Sequence, residues 1–418
     1  MLTNAPKGTK DVLPADVYKW HFVEQAFAEV CRRCGFREIR TPDFEHTELF
    51  RRGVGDTTDI VQKEMYTWEQ AKRSLTLRPE GTAPVVRAFV EHKLYADVQP
   101  QKYYYVIPCF RYEKPQSGRL RAFHQLGIEV FGTDSMMADA EVIALAAQFL
   151  EEMGIHGVAL HINSIGCPEC RGRYRKALQD FLRPKFDQLC PTCQSRFETN
   201  PMRILDCKSP QDQALVKDAP RMLDYLCDDC RRAFEELQDN LDAMGIAYEI
   251  DPGIVRGLDY YTKTAFEFVS DSLGAQSTVC GGGRYDHLSE ELGGPPIPGI
   301  GFGLGIERLL LTMEADGVEI ERPRGADAFI VVMGDAARRR GLALMQDLRR
   351  QGYRVEMDLL ERSVKNQFKY ADRIDARRAI VIGDDELERG AVTIKDMESG
   401  EQRSAAFEEI PALLREQK

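Results

Sequence analysis

"FRYEKPQSGRLRAFHQLGIEVFG", from Phe110 to Gly132, contains two apolar, strand-like runs joined by a loop that carries Lys114, Arg119 and Arg121. Side chains alternate between the two faces of a strand. His124, Leu126, Ile128 and Val130 therefore share one face, and Phe123, Gln125, Gly127 and Glu129 share the other. The run before the loop behaves alike, with Tyr105, Ile107 and Cys109 leading into Arg111 and Glu113 on one face. A polar face of this kind ordinarily meets water. Here Gly127 clears its centre and Phe123 would waste apolar area in solvent, so the pattern predicts a hairpin whose polar face is the floor of a ligand site with charged walls.

At 418 residues the chain exceeds what one hydrophobic core usually supports, and two or three domains are expected. No run of about 18 uncharged apolar residues occurs, and "MLTNAPKGTKDVLP" (Met1 to Pro14) lacks a basic-then-apolar leader pattern. These features predict a cytoplasmic protein with no membrane partner. A net charge of -11 argues against indiscriminate nucleic-acid binding, which depends on neutralising many phosphates. Any nucleic-acid partner would have to be met by local basic patches.

Residues 1–166 mix a helix from about Ala15 to Cys34 with short strands, the hairpin, and the apolar run "GVALHINS". From 167 to 244 the pattern turns to polar helices rich in Arg, Asp and Glu, which reads as an inserted helical module. Strands resume over 245–324. After the linker "ERPRG" (Glu321 to Gly325), the apolar runs "DAFIVVMG", "YRVEMD" and "RAIVIGDDE" alternate with helical stretches, predicting a small α/β domain over 325–418.

The eleven cysteines include four C-x-x-C pairs. Cys31 and Cys34 end the first helix, behind the stripe Trp20, Val23, Phe27 and Val30, and read as core packing. Cys167 with Cys170 and Cys190 with Cys193 lie close to a four-cysteine zinc template, with Cys207, Cys227 and Cys230 nearby. A structural zinc and a set of reduced, partly buried thiols both remain open readings. No His joins the cluster, which argues against a catalytic zinc, and no metal is assigned among the site residues.

In "PGIGFGLGIERLLL" (Pro298 to Leu311), Gly299, Gly301, Gly303 and Gly305 recur with period two and would clear one strand face for something flat. Arg308 follows, able to stack its guanidinium over a base. The spacing is neither the dinucleotide fingerprint nor a P-loop. "RGLDYYTKTAFEF" (Arg256 to Phe268) and "VCGGGRYD" (Val279 to Asp286) add fixed charges at Arg256 and Arg284 beside the phenols of Tyr260 and Tyr261. "LRPEGTAPVVR" sets Glu80 and Thr82 just before a helix that starts near Pro84.

Together these segments resemble the class II aminoacyl-tRNA synthetases, and "RGLDYYTKTAFEF" with "GGGRYD" is similar to the histidyl-tRNA synthetase family within them. The class I signatures are absent. The resemblance spans essentially the whole chain and implies an α+β class II catalytic core, a mostly antiparallel sheet with helices. That core would comprise 1–166 and 245–324 around the helical insertion, followed by an α/β anticodon-binding domain. The implied reaction is ATP-dependent ligation of L-histidine to tRNA-His through a histidyl-adenylate, releasing AMP and diphosphate. ATP would act as substrate with Mg2+, and the enzyme would be a homodimer. Regulatory paralogues that resemble the core usually lose the anticodon domain and part of the histidine motif; this chain retains both.

Carried over by the resemblance, Arg111 would hold the ATP α-phosphate, with Arg256 across the reacting phosphorus. Glu113 and Arg119 would contact the nucleotide, and Phe123 and Arg308 would sandwich its adenine. Glu80, Thr82 and Gln125 would hold the histidine ammonium; Glu129 and Tyr261 would bind the imidazole, with Tyr260 lining its pocket. Gln116 would approach the tRNA acceptor end. In the last domain Lys365, Lys369, Arg373, Arg377 and Arg378 would supply positive charge to the anticodon, the first three at helical spacing.

Overall fold

The computed structural model describes residues 3–55, 58–205, 207, 209–254, 260–270 and 278–415. The chain divides into two compact units, Met1–Ile320 and Glu321–Lys418.

The first unit is built on an eight-stranded sheet. Across it the strands run Arg37–Glu38, Gln101–Phe110, Ala122–Phe131, Gly299–Gly305, Thr278–Arg284, Thr262–Ser270, Val158–Ser164 and Glu249–Ile250. The central strands pair antiparallel, and the short strand at each edge pairs parallel. The hairpin's register runs from Gln101 opposite Phe131 to Phe110 opposite Ala122.

Alternation then decides what each face meets. Leu126, Ile128 and Val130, joined by Ile300, Phe302 and Leu304 of the glycine strand, are buried against the helices Val17–Arg33 and Met136–Glu152. Phe27 of the first helix sets its ring edge-on to Phe149 and Phe302, with centroids 5.1 and 6.4 Å away. Cys31 lies in this core and Cys34 packs against it. Gly35, at a φ of 77°, turns the chain out of the helix where a side chain would be strained.

Arg284 departs from its sequence expectation. It lies opposite Ile300, on the helix-facing side of the sheet, so it adds no charge to the ligand face. Its side chain is fully buried and its Nε donates to both carboxylate oxygens of Asp139, at 3.2 and 3.1 Å; Nη1 reaches the Thr133 carbonyl at 2.9 Å and Asp286 at 3.1 Å. Removing one partner of such a pair strands a buried charge, a loss of about 3–5 kcal/mol. The arginine in this motif thus fastens the strand to the helix beginning at Met136.

Residues 167–244 fold as helices Pro168–Leu182, Pro191–Thr199, Pro210–Val216 and Asp228–Ala243 around a core of their own that includes Tyr174, Leu178, Leu182 and Phe197. The last of these helices turns Phe234, Leu237 and Leu241 into the main core. The module is therefore seated on the sheet's helix layer by apolar packing.

The second unit holds a five-stranded sheet ordered Val355–Met357, Ala328–Val332, Arg378–Ile382, Ala391–Asp396, Gln402–Ala406. The first three strands are parallel and the last two antiparallel additions. Its buried Gln367 receives the Val332 amide at 2.9 Å and donates to the Val332 carbonyl at 3.0 Å, closing a strand end that would otherwise be unpaired. Lys365, Lys369 and Arg373 are exposed on the helix Val364–Arg373. Arg378 is not part of that surface: it is buried in the sheet and donates to the Leu413 carbonyl, because its place at a strand start points it inward. No helix among the described residues is long and apolar enough to cross a membrane.

Candidate active site

Above the polar face of the hairpin lies a cavity of about 460 Å³. One group of its lining residues is Arg111, Glu113, Arg119, Phe123 and Arg308; the other is Glu80, Thr82, Gln125, Tyr260 and Tyr261. They come from segments far apart in the chain, gathered because the strand register aligns Phe123 with Cys109, Gln125 with Ile107 and Gly305 with Gln125.

In the first group each guanidinium is held by a neighbour. Arg111 donates through Nε to the Pro79 carbonyl at 2.8 Å, and its guanidinium carbon lies 5.3 Å from the centre of the Phe123 ring. Arg119 pairs with Glu113 at 2.8 Å, and Arg308 donates to the Thr278 carbonyl at 2.7 Å. Burial lowers the Arg308 pKa, and the charges of Arg119 and Arg111 lower it further. Burial raises that of Glu113 against the pull of Arg119 and Arg111. Arg111, Arg119 and Arg308 thus bring three positive charges to one part of a lining that also carries the carboxylates of Glu113, Glu267 and Glu307.

The second group begins with Glu80, whose carboxylate accepts the backbone N–H of Thr82 at 2.8 Å and of Ala83 at 2.9 Å. These amides open the helix Thr82–Glu91, so the carboxylate satisfies donors that no turn of the helix can reach. Burial pushes the Glu80 pKa up; the Ala83 and Thr82 amides and Arg111 pull it back. Two residues earlier, Arg78 anchors the segment by donating to the carbonyls of Pro108, Thr41 and Pro42 at 2.7, 2.8 and 3.1 Å.

Glu129 stands apart from the cavity lining. It is fully buried beneath the floor, where Oε1 accepts the hydroxyls of Thr82 at 2.7 Å and Tyr105 at 3.1 Å, and Oε2 that of Tyr285. Burial pushes its pKa up to about 8, with the Tyr285 and Thr82 hydrogen bonds working against the shift. Thr82 therefore joins it to the cavity. The rings of Tyr260 and Tyr261 lie 4.6 Å apart, and Tyr260 meets the Tyr285 ring at 5.6 Å.

The alternating glycines serve a different purpose from the flat landing place that their spacing suggests. A Cβ at Gly299 would collide with the Tyr285 ring, at Gly301 with the Glu129 carboxylate, and at Gly303 with the Gln125 amide; one at Gly305 would meet nothing within 4 Å. The face is cleared chiefly for the chain's own side chains, and of the four only Gly303 and Gly305 line the cavity.

Gln116 lies outside this cavity, in the hairpin loop, where its backbone exchanges hydrogen bonds with Arg119 and its side chain borders a separate depression near Lys10, Trp20 and Leu311. Arg256 falls outside the described residues. The sequence reading missed Tyr105 and Tyr285 as partners of Glu129, and Glu267, Thr278 and Glu307 as cavity residues. Tyr105 had a signal: it pairs with Gly127, where a side chain would collide with its ring. Glu307 receives the His124 amide and pairs with its ring at 2.8 Å, which raises the histidine's pKa and locks the glycine strand's helix onto the hairpin.

A sequence model described as "Histidyl-tRNA synthetase" matches residues 8–309, and one described as "Anticodon binding domain" matches 327–417. The chain belongs to the histidyl-tRNA synthetase family. It is 56% identical over 411 residues to the histidine–tRNA ligase of Caldanaerobacter subterraneus subsp. tengcongensis, covering 98% of this chain and 99% of the relative. It is 57% identical over 404 residues, 96% of each chain, to that of Clostridioides difficile. Apo histidyl-tRNA synthetase of S. aureus superimposes with a TM-score of 0.85 at 41% identity, over 99% of this chain and all of that one. The antiparallel sheet with its helices and the separate C-terminal unit are thus class II synthetase architecture, and the enzyme is an ATP-dependent ligase of histidine to tRNA-His.

The buried carboxylate has a measurable signature. Between the ordinary carboxylate value of 4.5 and about 8, the folded chain retains a proton on Glu129 that the unfolded chain releases. Its contribution to stability is complete below the lower value and is lost as pH rises through the upper one. Glu129→Gln, permanently neutral, should flatten that part of the decline, so its Tm relative to wild type should rise from pH 5.5 to pH 8.5. A difference in Tm that is constant across that range would contradict the assignment.

Proposed function

We propose that the cavity binds both substrates of adenylation, with the two groups of residues dividing the work. Glu80, Thr82 and Gln125 hold the histidine ammonium, the buried Glu80 carboxylate supplying the charge that an ammonium needs in a desolvated site. Tyr261 and Glu129 read the imidazole, which when neutral offers one donor and one acceptor nitrogen. Glu129 acts from beneath the floor, through the Thr82 hydroxyl that donates to it. Arg111 takes the α-phosphate, Glu113 and Arg119 contact the nucleotide, and the adenine lies between Phe123 and Arg308. Arg256 approaches the phosphate from the opposite side.

The histidine carboxylate attacks the α-phosphorus in line, a phosphorus–oxygen bond forms, and diphosphate leaves. A ribose hydroxyl at the tRNA 3′ end then attacks the activated carbonyl and AMP leaves. The chain needs no nucleophile of its own. Its contribution is to align the reactants and oppose the negative charge that develops on phosphorus. Glu113 and Glu267 are oxygen donors of the kind Mg2+ takes, and both lie close enough to Arg308 to act on its charge. Bound with the triphosphate there, Mg2+ would supply further neutralisation. The observation that carries this reading is that Glu80, Thr82 and Gln125 line the same cavity, of about 460 Å³, as Arg111, Arg119 and Arg308.

We further infer a cytoplasmic enzyme, and a homodimer because the segment from the first helix, Val17–Arg33, to Pro42 resembles the class II dimerisation motif. Gln116, in the loop beside the floor, approaches the tRNA acceptor end. The exposed face of Lys365, Lys369 and Arg373 approaches tRNA phosphates as the domain reads the anticodon.

Arg111→Ala should lower kcat for histidine-dependent ATP–pyrophosphate exchange by about 100- to 1,000-fold, the usual consequence of losing a preorganised donor worth about 2.7–4 kcal/mol, with a much smaller change in histidine Kd. Unaltered kcat would remove Arg111 from the reaction. Reversing charge on the helix, Lys365→Glu with Lys369→Glu, should raise KM for tRNA at least several-fold and leave pyrophosphate exchange as it is. A double variant that charges tRNA with wild-type kcat/KM would show that this face does not meet the polyanion.

A further inference from the structure

The cysteines of the helical module fall into two sets that the sequence did not separate. Cys167, Cys170, Cys227 and Cys230 bring their sulfurs within 4.8 Å of one another. Cys190, Cys193, Cys207 and a carboxylate oxygen of Asp212 do the same. We propose that each set binds one structural zinc ion, giving the module a four-thiolate site and a three-thiolate, one-carboxylate site.

The geometry fits a tetrahedral ion. Sulfurs around zinc at about 2.3 Å stand about 3.8 Å apart. The Cys167 and Cys170 sulfurs are 3.5 Å apart and those of Cys190 and Cys207 are 3.9 Å apart, close to that spacing and far beyond a disulfide bond of about 2.05 Å. Cys207 lies 3.2 Å from an oxygen of Asp212.

Local structure explains how such spacings arise. Each C-x-x-C pair places its first cysteine at the N-cap of a helix and its second in the first turn: Cys167 before Pro168–Leu182, Cys190 before Pro191–Thr199, Cys227 before Asp228–Ala243. Both sulfurs of a pair then converge on the end of the helix where amide N–H groups and the dipole favour thiolate. The Cys227 amide indeed points at the Cys170 sulfur, at 3.0 Å, and the Ser209 amide at that of Cys207, at 3.5 Å. In the first set two such helix ends face each other.

Asp212 carries the second site. It is fully buried in a small domain, and it meets the Cys190 amide at 3.0 Å and the Cys207 sulfur. A buried carboxylate among thiols is costly unless a cation joins them. A borderline ion takes thiolate and carboxylate together, which selects zinc over copper(I), and both sets have the full count of four that a closed structural site requires. The module's own core is small, the circumstance in which small domains add a metal.

Full-length protein, grown in zinc-replete medium and purified with reductant and no chelator, should contain two zinc ions per chain by plasma mass spectrometry. Cys227→Ser and Cys190→Ser should each carry one ion fewer, whereas Asp212→Cys should keep both. Because a serine variant can lose metal by misfolding, the wild-type protein should also be exchanged with Co2+. Two equivalents should bind, each with intense thiolate-to-cobalt absorption and tetrahedral d–d bands. Zinc far below one per chain with no such cobalt spectrum would overturn the proposal. One ion per chain would overturn whichever site's serine variant leaves that count unchanged, and iron in place of zinc would overturn the choice of metal.

Discussion

The carboxylate of Glu129, buried under the floor of the cavity, constrains every element around it. A buried carboxylate oxygen needs hydrogen-bond donors, and the three hydroxyls that meet it come from a helix start, a hairpin strand and the residue after a third strand: Thr82, Tyr105 and Tyr285. Room for this cluster is made by glycine. Gly127 admits the Tyr105 ring, Gly301 the carboxylate itself, and Gly299 the Tyr285 ring. A side chain at any of the three would force the cluster apart, so the glycine pattern and the polar cluster are two aspects of one packing problem. Because Thr82 touches Glu129 from the cavity side, the cluster is also tied to the cavity wall.

The helical module reaches this site through its helices. Arg171, one turn beyond Cys167, donates to the Tyr261 carbonyl at 3.2 Å, next to the tyrosine pair that lines the cavity. Arg196, one turn beyond Cys193, pairs with Asp59 at 2.7 Å. Each brace springs from a helix whose first turn belongs to one of the two cysteine sets. Fixing those helix starts therefore fixes the braces, which gives the module a physical route to the wall of the cavity through Tyr261.

Much of the fold was legible in residues 101–132, because alternation over two ten-residue strands leaves one register that buries Leu126, Ile128 and Val130 together. The α/β alternation after Gly325 was as plain, since its strands are short, apolar and bounded by helical stretches. Arg284 was misplaced for a local reason: three consecutive glycines precede it, and a run without side chains carries no alternation from which to tell its face. The period-two glycines were correctly placed on one face, yet their occupants, Gln125, Glu129 and Tyr285, come from neighbouring segments that only strand order reveals. The cysteines show the same limit. Spacing along the chain suggested pairing Cys167 and Cys170 with Cys190 and Cys193, while the fold joins the first pair to Cys227 and Cys230 and recruits Asp212, a residue no cysteine count would include.

A pocket organised around a buried carboxylate and a phenol should be selective for one side chain, since isosteres that leave those groups unpaired lose several powers of ten. The most direct measurement is ATP–pyrophosphate exchange by the purified full-length enzyme with each of the standard amino acids in turn. Exchange supported by L-histidine, with the others near background, is the predicted result. Comparable exchange with another amino acid, or none with histidine, would contradict it.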